Sequence, residues 1–439
     1  RYTLGGSIRF DGSDLFGVDK KYRYLPLYSV SGLWRISQEP FMASAKWIDN
    51  LVVRASYGLQ GNIDKNTSPF LLGNYRIENI LPGGSEDMID VSGAPNKKLR
   101  WEKTHSVNAG FDFAVLNQAI NLSVDYYYRK GVDLIGTQML PLETGFEMLT
   151  VNWASMRNQG VEVALSTRNV HTKNFMWTTN FNFAYNNNKV LKEALREDAL
   201  EPGREGYPAG ALFALKTAGL DEEGYPMFQD KDGKAVSAME FFKLQEWGFG
   251  ATDLTARERR ELYTYVGTAD CPYTGGFNNT FTYKAFELGV NFSFDFGGKV
   301  RSQPTYSIVD FDKGRNTNRD ILNRWTPENT ETIFPVLLSQ NERLDEYMWY
   351  SNQNEIYRNL DIWIRDLNYV RLQNIRLGYT LPTNFSRTLG MTSATVAIEG
   401  RNLLVFGSSY KNYLDPETMS NAYATPAPKS VTLSLNLIF

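Results

Sequence analysis

Residues 428–439, PKSVTLSLNLIF, form a stretch with one apolar side and one polar side. Successive side chains of a β-strand point to opposite faces of the sheet. One face carries Val431, Leu433, Leu435, Leu437 and Phe439. The other face carries Thr432, Ser434 and Asn436. The stretch therefore predicts a β-strand that is apolar on one face, polar on the other, and closed by an aromatic residue.

The same period of two recurs along the whole chain. It is clearest in AINLSVDYYYR (119–129), NFMWTTNFNFAY (174–185), AFELGVNFSFDF (285–296) and LVVRASYGLQ (51–60). Similar alternation covers 2–10, 26–36, 101–115, 161–168, 277–283 and 394–401. Segment 366–381 keeps the period only with a slip between Leu372 and Ile375, which predicts a β-bulge. Many of these strands have about ten residues, which is the length that crosses a bilayer as a tilted strand.

Composition agrees with a membrane barrel and excludes several other classes. The chain has 439 residues, 14% of them aromatic, and a formal charge of −3. We find no apolar run of about 18 residues, so a transmembrane helix is not predicted. The near-neutral charge argues against a general affinity for nucleic acid. One cysteine, Cys271, and two histidines, His105 and His171, leave little material for a disulfide framework or a metal site.

The connections between the predicted strands are short and long in alternation. The joints at 116–118, 169–173 and 284–285 are tight, and those at 37–49 and 382–392 resemble helical turns. Long polar loops are predicted at about 61–98, 130–158, 188–275, 298–365 and 403–428, and residues 208–218 are placed in an outer hairpin. Outer-membrane barrels have short periplasmic turns and long external loops. We predict about twelve spanning strands, with residues 1–439 forming the C-terminal part of a larger antiparallel barrel that begins within a longer protein.

Several longer strings resemble the C-terminal barrel of the SusC/RagA family of TonB-dependent outer-membrane transporters, found in the Bacteroidetes. They are GLWRISQEPFMASAKWIDNLVVRASYGLQGN (32–62), TYVGTADCPYTGGFNNTFTYKAFELGVNFSFDFGG (264–298), DILNRWTPEN (320–329), LNYVRLQNIRLGYTLP (367–382), IEGRNLLVF (398–406) and PKSVTLSLNLIF (428–439). The resemblance covers essentially the whole chain, in order.

The resemblance implies an N-terminal plug, energy supplied through TonB, a SusD-like surface lipoprotein as partner, and glycan fragments or peptides as substrates. We expect the plug domain and the N-terminal strands to be absent from these residues. The family also implies that the last strand and Phe439 are the signal that the barrel-assembly machinery binds. A plain interfacial anchor is the alternative role for Phe439.

Candidate functional residues fall into two sets. Aromatic residues of the long loops are predicted to stack on substrate, because flat rings suit the faces of sugars. They are Tyr207, Trp247, Tyr273, Trp325, Trp349, Tyr350 and Tyr357. Polar residues predicted to form the lumen wall, in contact with water and a plug, are Arg54, Asp112, Asp125, Asn180, Glu287, Asn291 and Asp295. No catalytic residue, metal ligand or cofactor is predicted.

Two other classes of protein compete with the transporter. An outer-membrane barrel enzyme of the phospholipase or protease type needs a histidine-containing catalytic group at the rim, and the histidine count barely allows one. A soluble all-β glycan-binding module would bury the apolar strand faces against a second sheet and express without detergent. Cys271 is predicted to be an ordinary loop thiol, and a nucleophilic role is the weaker alternative. Asp230–Lys234, DKDGK, is predicted to be a turn, and a cation-binding loop is the weaker alternative.

Overall fold

A computed structural model describes residues 1–15, 22–65, 67–81, 84–146, 148–302, 314, 319–337, 345, 359–388, 390–407, 415–418 and 424–439. Twelve strands form one sheet, and all of their pairings are antiparallel. They are Tyr2–Gly12 (β1), Tyr24–Arg35 (β2), Ile48–Asn62 (β3), Glu102–Val115 (β6), Ile120–Met139 (β7), Met148–His171 (β8), Phe175–Lys192 (β9), Tyr273–Tyr283 (β15), Phe286–Arg301 (β16), Ile364–Thr380 (β17), Ser393–Phe406 (β18) and Ser430–Ile438 (β19). The predicted number of spanning strands is confirmed.

Each strand of this sheet pairs with the next one along the chain that belongs to it. Strands β1 and β19 lie at the two edges and each pairs on one side only among the described residues. Their neighbours are β2 and β18, respectively. The arrangement is a meander without crossovers, and it is a partial barrel.

The apolar rows of the strands are not covered by a second sheet within the described residues. Leu4 of β1 is 88% exposed and Leu433 of β19 is 76% exposed. On the central strands, Phe111 and Tyr126 remain more than one third exposed. This exclusion of a sandwich is the observation that separates a lipid-facing barrel from the soluble module.

One end of the sheet carries only short connections. Strands β6 and β7 are joined through Leu116, Asn117 and Gln118, all with positive φ, and β15 and β16 through Lys284, with a φ of 52°. The predicted helical turns are confirmed as two 3-10 turns at Ile36–Gln38 and Pro40–Met42 and a helix α3 at Thr383–Thr388. We call this the short-turn end.

The opposite end carries the long connections, and here one sequence prediction needs correction. The polar segment 130–158 is not a long loop, because β7 continues to Met139 and β8 begins at Met148. A register shift between Gly131 and Leu134 lets the pairing continue past the expected end of the strand. The stretch DILNRWTPEN contains part of a 3-10 helix, Arg319–Asn323, that ends before Thr326.

The long connections contain their own small sheets and helices. Strands Leu72–Leu81 (β4) and Gly84–Gly93 (β5) form a hairpin between β3 and β6. Between β9 and β15 lie Ala211–Leu215 (β10), Thr217–Leu220 (β11), Pro226–Gln229 (β12), Ala235–Val236 (β13) and Tyr263–Thr268 (β14), with helices Ala238–Phe241 (α1) and Ala256–Glu261 (α2). Residues 208–218 therefore lie outside the main sheet, as predicted, but they do not form a hairpin with each other, because β10 pairs with β14 and β11 with β12. The predicted bulge near Leu372 is confirmed by register shifts on both sides of β17.

The largest buried hydrophobic cluster lies in these connections rather than between strands of the main sheet. Phe228, Leu360 and Trp363 are fully buried in it, and Phe228 stacks on Phe241 with ring centroids 4.8 Å apart. Helix α2 begins with a capping box, in which Thr255 and Glu258 bond each other's backbone N–H. Those hydrogen bonds from Thr255 lower the pKa of Glu258 to about 2. The long-loop end is thus a folded cap with its own core.

None of the helices in the described part of the chain is both long and apolar enough to cross a membrane.

Candidate functional site

The polar face of the sheet is concave, and we call it the lumen face. A groove of about 840 Å³ follows it across β3, β6, β7, β8, β9, β15, β16 and β17. Amide, hydroxyl and carboxylate side chains line it, together with glycine, alanine and larger apolar residues such as Leu165 and Phe181. Such a surface offers hydrogen-bond donors and acceptors to a hydrated occupant.

One level of this groove is a row of hydrogen-bonding residues in register. Asn180 pairs with Asn278, which pairs with Asn291, which pairs with Asn374 across four neighbouring strands. The row continues through Ser166 of β8, the register partner of Asn180. Five adjacent strands therefore present a small polar side chain at the same height, so that a polar occupant meets similar groups all along the wall.

Arg54 connects three strands of the lumen face. Its Nη2 donates to Oδ2 of Asp125 at 2.5 Å, to Oγ of Ser123 at 3.0 Å and to Oδ1 of Asp112 at 3.3 Å. Ser123 in turn donates to Asp112 at 2.7 Å. Arg54 lies on β3 and Asp125 on β7, so its guanidinium crosses the intervening strand β6. We call these four residues the Arg54 cluster.

Gly110 of β6 makes that crossing possible. It is the register partner of both Arg54 and Asp125. A Cβ at this position would lie 2.5 Å from Oδ1 of Asp125 and 2.8 Å from the carbonyl oxygen of Val124. The missing side chain therefore leaves the space through which the ion pair forms.

The same device recurs one strand further along. Tyr127 of β7 passes over Gly160 of β8 and donates its hydroxyl to Oδ1 of Asn186 on β9 at 2.8 Å. A Cβ on Gly160 would lie 2.6 Å from the hydroxyl of Tyr127. Long side chains that cross glycine positions thus connect strands of the wall that are not direct neighbours.

Towards the other edge of the sheet, polar side chains link β16 to β17. Glu287 accepts a hydrogen bond from Nη1 of Arg376 at 3.0 Å. Asp295 accepts from the hydroxyl of Tyr369. All seven residues predicted to line the lumen lie on strands, and Asp112, Asn180, Asn291 and Asp295 line the groove directly. Arg54, Asp125 and Glu287 lie on the same face by strand parity and register.

Arg371 of β17 forms a second arginine cluster, which sequence analysis missed. Its side chain is only 2% exposed and binds the carboxylates of Asp415 and Glu417, the latter from Nε at 2.8 Å. These acids belong to the connection between β18 and β19. The N–H of Ala427 donates to Asp415 at 3.2 Å, and Tyr369 contacts Glu417 at 3.4 Å. We call Arg371, Tyr369, Asp415 and Glu417 the Arg371 cluster.

The cluster folds part of a long connection back onto the wall. Arg371 pairs in register with Ser293, whose neighbours on the same face line the groove. Segment 415–418 therefore lies over the lumen face and not beside it. Sequence alternation assigns Arg371 to the polar face, but nothing local in the sequence identifies acids more than 40 residues away as its partners.

The aromatic loop candidates lie in different surroundings. Tyr207 is 39% exposed and forms an open cluster with Phe213 and Tyr265, at centroid distances of 5.2 and 4.8 Å. Trp247 is 74% exposed, and its backbone N–H donates to Asp345 at 2.7 Å. Trp325 is half-buried and lies against Gly224, where a Cβ would be 2.4 Å from the indole.

The placement of Tyr273 in a loop is wrong. It is the first residue of β15 and stacks on Tyr185 of β9 at 5.1 Å, within the outward aromatic row. The remaining three candidates, Trp349, Tyr350 and Tyr357, lie outside the described residues. The loop aromatics are therefore not brought together into one site by the part of the chain that the structure describes.

The alternative chemical sites have ordinary surroundings. Burial raises the pKa of the Cys271 thiol, and the carboxylates of Asp295 and Asp270 act in the same direction, which disfavours a nucleophilic thiolate. Asp230 accepts the backbone N–H groups of Asp232 and Lys234, as in a tight turn. In the described ranges, no group of three or more His, Cys, Asp or Glu residues is placed to hold a metal ion.

Comparison with known proteins agrees with this geometry. A family model described as TonB dependent receptor-like, beta-barrel matches residues 1–403. TonB-dependent receptor P3 of Formosa agariphila is 26% identical over 469 residues, which cover 100% of this chain and 44% of that protein. TonB-dependent receptor SusC of Bacteroides thetaiotaomicron is 25% identical over 464 residues, covering 100% of this chain and 42% of that protein.

Among solved structures, that of the RagAB peptide transporter is similar with a TM-score of 0.75 and 24% identity, covering 99% of this chain and 46% of the solved one. That likeness concerns the fold. The chain spans less than half the length of these curated relatives. It belongs to the TonB-dependent receptor β-barrel family and is a multi-pass barrel of the cell outer membrane.

Proposed function

We propose that this chain forms the wall of an outer-membrane importer that is energised through TonB and takes up glycan oligosaccharides or peptides. The observation that carries the proposal is the family match over residues 1–403, combined with a lumen face that presents amides, hydroxyls and carboxylates. Both substrate classes are chains rich in donors and acceptors, which suits such a wall. The relatives point to both classes, since one is SusC and a structural neighbour is named a peptide transporter.

The proposed mechanism places the residues described above in the wall and not in the motor. A SusD-like surface lipoprotein captures the substrate at the long-loop end, TonB rearranges a plug, and the substrate passes along the lumen face. Arg54, Asp112, Asp125, Asn180, Glu287, Asn291 and Asp295 keep this path hydrated and contact the plug. No covalent step is involved, so we propose that the protein is not an enzyme.

We also propose that further strands and the plug complete this sheet in the whole protein. Strands β1 and β19 present backbone groups that pair on one side only in the described residues. Each unpaired backbone group in hydrocarbon costs several kcal/mol, so an edge in lipid is strongly unfavourable. The outward Phe439, 82% exposed, lies next to such an edge and supports a role in recognition by the barrel-assembly machinery.

Uptake by living cells tests the transport proposal. We expect deletion of the gene to abolish uptake of fluorescent oligosaccharides or of fluorescent peptides, and a protonophore to abolish it in the parent strain. Loss of one class and not the other assigns the substrate. Uptake that survives both treatments would contradict a TonB-dependent importer.

The loop aromatics are tested in the same assay. Tyr207 and Trp247 are the exposed candidates, so we expect Tyr207→Ala and Trp247→Ala to raise the substrate concentration needed for half-maximal uptake. Tyr273→Ala is the matched control, because that ring faces outward from the sheet. Equal effects of all three variants would contradict a specific role for the loop rings.

A further inference from the structure

We infer that the outward face of β7, β8 and β9 carries a binding site for a phosphorylated lipid headgroup of the outer leaflet. The site consists of Lys130, Arg157 and Lys189, which we call the cation row. Lys130 pairs in register with Arg157, and Arg157 pairs in register with Lys189. Neighbouring strands lie about 4.8 Å apart, so the backbone positions of the three cations fall within roughly 10 Å.

Strand parity places the cation row on the lipid side. Lys130 has the same parity as Tyr126 and Tyr128, whereas Asp125 and Tyr127, on the other parity, make the lumen-face contacts described above. Along β8 and β9 the groove is lined by Ala164 and Asn182, whose parity is opposite to that of Arg157 and Lys189. All three cations therefore project outward from the sheet.

The height of the cation row matches the outer edge of the hydrocarbon. Ten residues separate Ile120, at the short-turn end of β7, from Lys130. At about 3.4 Å per residue and a tilt of about 40°, this is roughly 26 Å along the membrane normal, and the apolar band of such barrels is about 25 Å tall. The rung just below holds Val107, Tyr128 and Gln159. The cations therefore lie where apolar tails give way to charged headgroups.

The row is arranged for an anion that the described chain does not supply. Like charges directly opposite each other on neighbouring strands destabilise a sheet. None of the three cations forms an ion pair or hydrogen bond with the part of the chain described here, and Nε of Arg157 is buried without a hydrogen-bond partner. Nearby outward cations differ, because Lys103 is paired with Asp133 at 3.0 Å and Lys192 lies 3.3 Å above the ring of Trp153.

The chemistry of the row selects phosphate. Arginine binds phosphate oxygens with two parallel N–H donors, and lysine adds a mobile point charge on each side. The apolar rows below the cations are suited to acyl chains, which a soluble phosphate lacks. We therefore assign the site to a phosphorylated lipid and not to an inorganic anion, and the assignment is independent of the proposed transport.

The test uses the full-length protein in nanodiscs of phosphatidylcholine, to which lipid A or its dephosphorylated form is added. The variant Lys130→Gln/Arg157→Gln/Lys189→Gln removes the row. Each basic residue near an anionic surface contributes about a fivefold change in affinity, so we expect roughly a hundredfold weaker retention of phosphorylated lipid A by native mass spectrometry. Retention of the dephosphorylated form should not change.

Two controls keep the outcome interpretable. The first control, Arg129→Gln/Lys231→Gln/Lys234→Gln, removes the same number of positive charges as the row variant. Arg129 is the lumen-facing neighbour of Lys130, and the two lysines lie in a loop. This control should retain lipid A fully. Lys130→Arg/Lys189→Arg keeps the charge and should also bind, which separates lost recognition from misfolding. Equal retention by the wild type and the row variant overturns the proposal. Full displacement of the lipid by inorganic phosphate also overturns it. So does a loss of lipid A retention in the first control variant.

Discussion

Two arginines on the lumen face each bind two carboxylates, but in different surroundings. Arg54 binds Asp112 and Asp125, which belong to neighbouring strands of the same wall, and its side chain is 34% exposed. Arg371 binds Asp415 and Glu417, which belong to a distant connection, and its side chain is 2% exposed. One cluster joins strands that already pair through their backbones, whereas the other attaches segment 415–418 to the sheet.

The difference indicates how much each cluster contributes. An exposed ion pair contributes about 0.2–1 kcal/mol, because water solvates both partners when they separate. Removing one partner of a buried pair costs about 3–5 kcal/mol, since the other charge is left without compensation. We therefore expect the Arg371 cluster to control the position of segment 415–418, and the Arg54 cluster to adjust the stability of a wall that forms without it.

Replacing Arg371 should have the largest effect. In Arg371→Met, Asp415 and Glu417 lose their cation, and we expect a cost of about 3 kcal/mol unless segment 415–418 leaves the wall. Release of the segment would appear as faster protease cleavage between β18 and β19, with an intact barrel on heated and unheated gels.

The matched control for that variant is Arg376→Met, on the same strand. Within the part of the chain that the structure describes, Arg376 forms an ion pair with Glu287 alone, and its side chain is 38% exposed. We expect its cleavage pattern to equal that of the wild type. Similar cleavage of both variants would show that burial does not separate the two kinds of cluster.

Tyr369→Phe should have the next largest effect. The hydroxyl donates to Asp295 and contacts Glu417, so it links the wall to the returning segment. Hydrogen bonds to charged groups contribute about 2 kcal/mol. We expect partial release of segment 415–418, with cleavage between that of the wild type and Arg371→Met. Cleavage at the wild-type rate would mean that the ion pairs of Arg371 hold the segment without help from the Tyr369 hydroxyl.

Gly110→Ala tests the space through which Arg54 reaches Asp125. The new Cβ meets the carbonyl oxygen of Val124 as well as Asp125. We expect this overpacking to lower the free energy of unfolding by about 1–2 kcal/mol, measured by urea unfolding from lipid vesicles. Gly289→Ala is the control, because a Cβ at this lumen-facing position of β16 meets nothing within 4 Å. A loss of stability in Gly289→Ala as large as in Gly110→Ala would mean that strand glycines matter through their backbone and not through this crossing.

The contrast also explains what the sequence could predict. Side-chain alternation assigned Arg54, Asp112 and Asp125 to one face, because parity is a local property of each strand. The partners of Arg371 depend on how a connection returns over the sheet, which no local period encodes. The prediction of a long loop at 130–158 was wrong because the bulge near Asp133 interrupts the alternation of side chains, although the backbone pairing continues past it. Register, which aligns Asn278 with Asn180 and Lys130 with Arg157, likewise appears only after strands pair.

Arg54→Met should have the smallest effect, about 0.5 kcal/mol in the same urea assay. The remaining Asp112 and Asp125 are reached by water, and Ser123 still donates to Asp112. The effect should also shrink as salt rises, because at about 1 M the screening length falls to roughly 3 Å. The effect of Arg371→Met should persist in that salt, since buried charges are screened much less. Loss of both the Arg54→Met and the Arg371→Met effects in high salt would contradict this. It would mean that the carboxylates of segment 415–418 are as hydrated as those of the open wall.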